Sequence, residues 1–371
     1  MRKYCASNER IKRDYFTYLK EARQQSVESV DAVAKALNRF EVDSKFRDFK
    51  TFHTDWAVAF KRHLAEQRSQ STGEALSKAT MYSTLAHLKR FFQWLAREPG
   101  YRGKVQYSDA DYFNLSEKET RIAKARREPK VPTLEQIKHV LAMMTADSEI
   151  DHRNRALVAF TILTGARDSA IASMKLKHVD LANNLINQDG RDVNTKYSKT
   201  FTTTFFPVGE DIREIFAHWV SYLRQDRLWG NEDPLFPATA MKLNQVQQFE
   251  VEGLDRKQWS DAAPIRRIFQ EAFKAAGLPY FNPHTFRNTL VKLGQECCQT
   301  PEQFKAWSQN LGHEGVLTTF TSYGTVSTSR QAEIILGLAN KKMREEMSPP
   351  SAAEIATEVM RQMGMIRAIG Q

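Results

Sequence analysis

Cysteine is scarce in this chain: Cys5 and the adjacent pair Cys297 and Cys298 are the only three in 371 residues. Three thiols cannot make a disulfide scaffold, and their spacing matches no zinc-ligand pattern. Neighbouring cysteines on a helix point to different faces, so small buried side chains are their expected role. No apolar run approaches the length of a membrane span, and the opening MRKYCASNERIKRDYF has no apolar signal core. A soluble protein of a reducing cytoplasm is therefore expected. There is no Walker-type glycine loop, no carboxylate cluster at metal-ligand spacing, and no aromatic stacking motif of the common RNA modules. Internal repeats and low-complexity tracts are missing too, which excludes solenoids and disordered linkers as the main architecture.

What the chain does have is positive charge. Lys and Arg total 54 against 44 acids, a formal charge of +10. That favours a polyanionic partner, with DNA, RNA and acidic membrane surfaces all open on charge alone. A hydrophobic fraction of 41% and an aromatic fraction of 11% suffice for packed cores. The length suits two domains.

The first hundred residues carry helical periodicity. Val30, Val33, Ala34 and Leu37 share a face between Ser29 and Phe40, and Trp56, Phe60 and Leu64 do so between Thr54 and Arg68. The clearest helix follows Ser77, an N-cap, with Met81, Leu85, Leu88, Phe92 and Leu95 in register, and stops at Pro99-Gly100. Its Lys78, Lys89, Arg90 and Arg97 read as a solvated face. The stretch EKETRIAKARREPKV, with six basic residues against three acidic, reads as an exposed linker. Thr133 and Gln136 then form a capping box. These signals divide the chain into 1–127, 128–347 and a tail helix, 348–371.

Within the second part, His152 to Leu163 reads as an apolar helix, and another follows Arg167. Between 184 and 208 the pattern changes to short strands around a turn at Asp189-Gly190, ending in TFTTTFFPV. Helices are expected from Asp211 onward. The expected fold is mainly α with a small antiparallel β-sheet in the second domain.

Four fragments carry chemistry. Thr164-Gly165-Ala166-Arg167 places an arginine at a helix start, where the macrodipole favours acids; a bound anion would explain it, as would a carboxylate partner. Pro283-His284-Thr285-Phe286-Arg287 sets a histidine and an arginine one turn apart on a helix. Leu311-Gly312-His313 is followed ten residues later by Tyr323, and the hairpin NTKYSKTFTTTFFPV offers Lys196 or Lys199. Each fragment alone has an ordinary structural reading.

In this order the fragments resemble the catalytic domain of the tyrosine recombinases, the family of phage-type integrases, over about residues 130 to 330. The helical N-terminal part is similar to that family's core-binding domain. The resemblance implies a site-specific DNA recombinase that cleaves and rejoins strands through a 3′-phosphotyrosyl intermediate on Tyr323, without metal, ATP or cofactor. Arg167 and Arg287 would clamp the scissile phosphate. Lys199, eight residues before Pro207 as in the family's hairpin, would protonate the leaving 5′ oxygen, and His284 and His313 would assist proton transfer. The implied partners are double-stranded DNA and further copies of the chain, a tetramer on DNA, with room for accessory DNA-bending proteins and no membrane. The implied location is the cytoplasm of a bacterium, at the nucleoid. A DNA-binding regulator of the same fold, and a type IB topoisomerase or telomere resolvase, are the alternatives. Three departures stand out: Ala170 where an acid is common, Asn288 where a base is common, and a gap from His313 to Tyr323 about one residue longer than usual.

Overall fold

The computed structural model describes residues 4–68, 73–125, 130–243 and 247–313. Tyr323 and the expected tail helix lie outside them. The chain divides into two compact units, Met1–Arg126 and Arg127–Gln371.

The first unit is helical: α1 (Ala6–Thr17), α2 (Val27–Asp43), α3 (Thr54–Glu66), α4 (Lys78–Leu95) and α5 (Glu117–Lys124). Small polar caps start most of them. Ser26 accepts from Ser29 N–H, and Ser77 accepts from Thr80 N–H, as the sequence predicts for α4. Apolar residues at i, i+3, i+4 then fill one core with aromatics, Phe40, Phe49, Phe60, Phe91, Phe92 and Phe113, all nearly inaccessible. Edge-to-face pairs such as Phe40–Phe92, with centroids 5.5 Å apart, hold their geometry. Residues 6–22, opaque by periodicity, form α1 and a π-helical turn, with Tyr15 buried against Phe91 and Trp94. The expected linker is half helix: Ser116 caps α5, and Glu119 pairs with Lys78 at 2.8 Å. Lys89 of α4 pairs with Asp111 at 2.7 Å, while Arg97, expected in the same helix, lies beyond its end at Leu95 and over the Tyr107 ring.

The second unit runs α6 (Leu134–Met143), α7 (Glu149–Thr164), α8 (Asp168–Ala172), β1 (Val179–Asp180), β2 (Leu185–Gln188), β3 (Phe201–Thr204), α9 (Glu210–Ser221), β4 (Ala238–Leu243), β5 (Phe249–Asp255), α10 (Ala263–Ala275), α11 (Pro283–Cys297) and α12 (Pro301–Asn310). Thr133 and Gln136 make the expected capping box at α6. From Ala156 to Thr164, α7 is buried on every side, which marks it as the central helix of the core. Each fully buried Leu, Ile or Phe there contributes about 1.5–3 kcal/mol. Strands β1, β2 and β3 form one antiparallel sheet, with Ile186 opposite Thr203. β4 and β5 form a second ribbon that interrupts the helices expected after Asp211. The cysteines also depart from expectation: Cys297 is exposed, and Cys5 and Cys298 are half-buried, because α11 ends at Cys297 and lifts the pair toward the surface.

Candidate active site

Helix α11 opens with Pro283 in its first turn, where a missing N–H is harmless. His284 follows at once, and Arg287 comes one turn later with only 3% of its surface exposed. The Arg287 guanidinium donates to the carbonyls of Gly165 and, at 2.6 Å, Leu311, and to His313 Nε2 at 3.1 Å. Arginine has no acceptor, so Nε2 accepts and the imidazole proton resides on Nδ1. Every one of these partners is neutral, and among the described residues no carboxylate contacts Arg287. Burial and then the positive charge of Arg167 push its pKa down to about 9, which leaves it ionised at neutral pH. A buried cation without a counter-ion is costly, and an incoming anion relieves that cost.

Gly165 sets the approach. It ends α7 in the left-handed region, φ +60°, and a Cβ there would stand 2.8 Å from Leu311 Cδ2 and 3.0 Å from Leu290 Cδ1. The chain then turns extended at Arg167, just ahead of α8. Arg167 is half-buried, and burial lowers its pKa, opposed in part by Tyr197. The neighbouring Asp168 is engaged by Arg266 Nε at 2.8 Å.

The loop between β2 and β3 lies against α8: Ser169 Oγ donates to the Asn194 carbonyl, and Asn194 N–H donates to Ser173 Oγ at 2.8 Å. Its tip carries Tyr197 and Ser198 in left-handed backbone and ends at Lys199. Lys199 Nζ approaches the Gly312 carbonyl at 3.5 Å, a marginal bond that places the amine beside His313. Lys196 instead lies over the Tyr197 ring, 4.8 Å from its centroid.

What fixes the Leu311-Gly312-His313 segment is a residue that the motif reading passed over. Asn310 accepts from Thr204 N–H at 2.7 Å and donates to the Thr204 carbonyl at 2.8 Å, so its amide imitates one residue of an added strand. Its own carbonyl accepts from Thr203 Oγ1 at 3.0 Å. Gly312, φ +70°, then presses on the Phe201 ring, which a Cβ would meet at 2.6 Å. Nothing in the composition around Asn310 signals this clamp; only the β3 register reveals it.

Both histidines are held neutral. The His313 pKa is pushed down to about 4 by burial first, then by Arg287, Arg167, Lys199 and His284. His284 is exposed at the surface, and partial desolvation by the surrounding protein, followed by Arg287 and Arg167, lowers its pKa as well. These mutual influences place five of the six expected residues, Arg167, Lys199, His284, Arg287 and His313, around one positively charged spot. The sixth, Tyr323, is outside the described residues.

A family model described as the phage integrase family matches residues 130–329, more than half of the chain. The chain belongs to the phage integrase family. Relatives of this integrase-family chain include a tyrosine recombinase XerC of Lactobacillus delbrueckii subsp. bulgaricus, 25% identical over 313 residues that cover 83% of this chain and 92% of the relative. A XerC of Pseudomonas putida is 22% identical over 268 residues, covering 71% and 75%. Among solved structures, a lambda integrase dimer bound to a COC′ core site superposes with a TM-score of 0.58 at 12% identity, covering 86% of this chain and 99% of that one. The Tn1549 transposon integrase in complex with a circular-intermediate DNA gives 0.58 at 15% identity, covering 88% and 99%. These likenesses establish the integrase fold, mainly helical with small antiparallel sheets. Among the described residues, no helix of this integrase is long and apolar enough to cross a membrane.

Proposed function

We propose that this chain is a site-specific DNA recombinase that breaks and rejoins duplex DNA through a 3′-phosphotyrosyl bond to Tyr323. The observation that carries the reading is Arg287: a buried guanidinium that, among the described residues, meets only neutral acceptors, beside a second arginine and two neutral histidines. That is a seat for a phosphodiester. The arginines would stabilise the extra negative charge that develops on the five-coordinate phosphorus. Tyrosine ionises near pH 10, so forming its anion at pH 7 costs about 4 kcal/mol. A neutral histidine at the phosphate can take that proton, and Lys199 would protonate the 5′ oxygen as it leaves. The phosphotyrosyl ester keeps the energy of the broken bond, so a 5′ hydroxyl of another strand can reverse the step without a nucleotide cofactor.

Two compact units and a net charge of +10 suit a protein that grips duplex DNA through its phosphates. The relatives named XerC and the integrases solved on DNA support double-stranded DNA as the partner and more than one copy on it. We extend this to four copies on two sites, assisted by DNA-bending proteins, at the bacterial nucleoid. The domain limits 1–127, 128–347 and 348–371 belong to the same proposal, with the last segment as an assembly helix.

Covalent capture tests it. The protein is mixed with its host's genomic DNA and denatured in detergent, and the protein-linked fragments are sequenced at their ends. Discrete ends that vanish with Tyr323→Phe are expected. Binding without a covalent product, in wild type and variant alike, would favour a regulator of the same fold.

A further inference from the structure

The ribbon β4–β5 has a firmly built base. Arg153 of α7, 3% exposed, donates to the Pro237 carbonyl at 2.9 Å and to Thr239 Oγ1 at 3.0 Å. Glu149, also of α7, accepts from Leu254 N–H at 3.0 Å, and the Leu254 side chain is buried. Past this base a bulge at Ala240/Met241 leaves Glu252 without an opposite number and re-aims the outer half.

The outer half turns its apolar side to solvent. Met241 pairs with Val251 and Leu243 with Phe249. Opposed residues share a face, and residues two apart share it too, so all four lie together. They are 49%, 57%, 60% and 73% exposed for Met241, Val251, Leu243 and Phe249. The other face carries Lys242 paired with Glu250 at 3.4 Å. A two-stranded ribbon with an uncovered apolar face is a liability that soluble proteins avoid unless something covers it.

We infer that a second copy of this chain covers that face when two copies occupy adjacent DNA, an inference that rests on the recombinase reading. DNA itself is a poor occupant. Residues 238–255 hold one lysine against Glu250, Glu252 and Asp255, and a surface meant for phosphates would be basic. The size of the patch argues for a DNA-dependent contact. Four side chains offer roughly a few hundred Å², whereas a stable interface takes about 800 Å² from each partner. Such a patch cannot hold a dimer in free solution. It adds cooperativity once DNA has raised the local concentration.

The test measures binding of the full chain to two duplexes at one salt concentration, one long enough for a single copy and one for two. Wild type should bind the long duplex cooperatively. Phe249→Ser with Val251→Ser should lower that cooperativity at least tenfold and change affinity for the short duplex less than twofold. Met241→Ser with Leu243→Ser, on the other strand, should do the same, and Lys242→Gln with Glu250→Gln should do neither. Cooperativity that survives both apolar pairs of substitutions overturns the inference. A parallel loss on the short duplex also overturns it, because the face would then cover DNA or another part of the same copy. Binding needs no strand cleavage, so a failure of Tyr323 chemistry leaves this readout intact.

Discussion

Arg287 and His313 are in direct contact: the guanidinium Nη2 donates to the imidazole Nε2 across 3.1 Å. The same guanidinium holds the Gly165 and Leu311 carbonyls, so one side chain joins the start of α11, the end of α7 and the segment after α12. Arg287 thus ties its own surroundings together, and in the proposed mechanism it also faces the phosphate.

Replacing Arg287 by Lys should therefore damage more than charge. A lysine cannot fork to two carbonyls and an imidazole. The covalent product should fall by about 10²-fold or more, as when one transition-state donor is removed. Each carbonyl left unpaired should cost about 1–3 kcal/mol in urea unfolding. Normal yield of adduct from Arg287→Lys would remove this residue from the site.

Gly165→Ala should be a stability variant. Its left-handed φ costs a β-carbon about 1–2 kcal/mol, and the contact with Leu311 adds overpacking of about 1–3 kcal/mol. A midpoint of unfolding unchanged within error would show that the turn relaxes freely.

His313 makes the free protein sensitive to acid. Its pKa falls from an ordinary 6.5 to about 4 on folding, so between those values the unfolded chain binds more protons. Stability should decline as pH drops from about 6.5 toward 4, and His313→Gln should flatten that slope. A phosphodiester brings negative charge and raises the imidazole pKa, so DNA binding in the same window should take up protons. Calorimetry in buffers of different ionisation enthalpy measures the uptake; none at pH 5.5 would contradict the assignment.

Asn310 should act through Lys199, whose amine approaches the Gly312 carbonyl that the clamp positions. Loss of the clamp in Asn310→Ala frees the Gly312 carbonyl and hence the position of the Lys199 amine. Cleavage of ordinary DNA should slow by about 10²-fold, the effect of a small misplacement. A substrate with sulfur at the 5′ bridging position needs no proton on its leaving group, since thiols ionise near pH 8.5. Cleavage of it should return close to the wild-type rate in both Asn310→Ala and Lys199→Ala. Equal defects on both substrates would mean general misfolding.

Much of this was readable from residues alone. Ser77, Thr133 and Gln136 cap the helices they were expected to cap, and the β-branched run at 201–204 forms β3. Thr164-Gly165-Ala166-Arg167, His284 with Arg287, and Leu311-Gly312-His313 carry their chemistry in sequence order, because each is a turn or a single helical face. The second ribbon stayed hidden for a physical reason. Its apolar residues Met241, Leu243, Phe249 and Val251 face solvent among polar neighbours, and the sequence NQVQQ that joins them holds no glycine or proline, so the stretch reads as a polar helix. In the same way, Ser116 and Glu119 mark the start of α5, but the basic composition around them outweighed that signal. The Asn310 clamp is a contact between residues 106 apart, which no local pattern encodes.

The most direct test is to find where DNA becomes attached. Protein trapped on duplex carrying a captured site is digested with nuclease and protease, and mass spectrometry locates the residual nucleotide. A 3′-linked nucleotide is expected on the peptide containing Tyr323, and none in Tyr323→Phe. A nucleotide on any other residue, or attachment that persists in Tyr323→Phe, would contradict it.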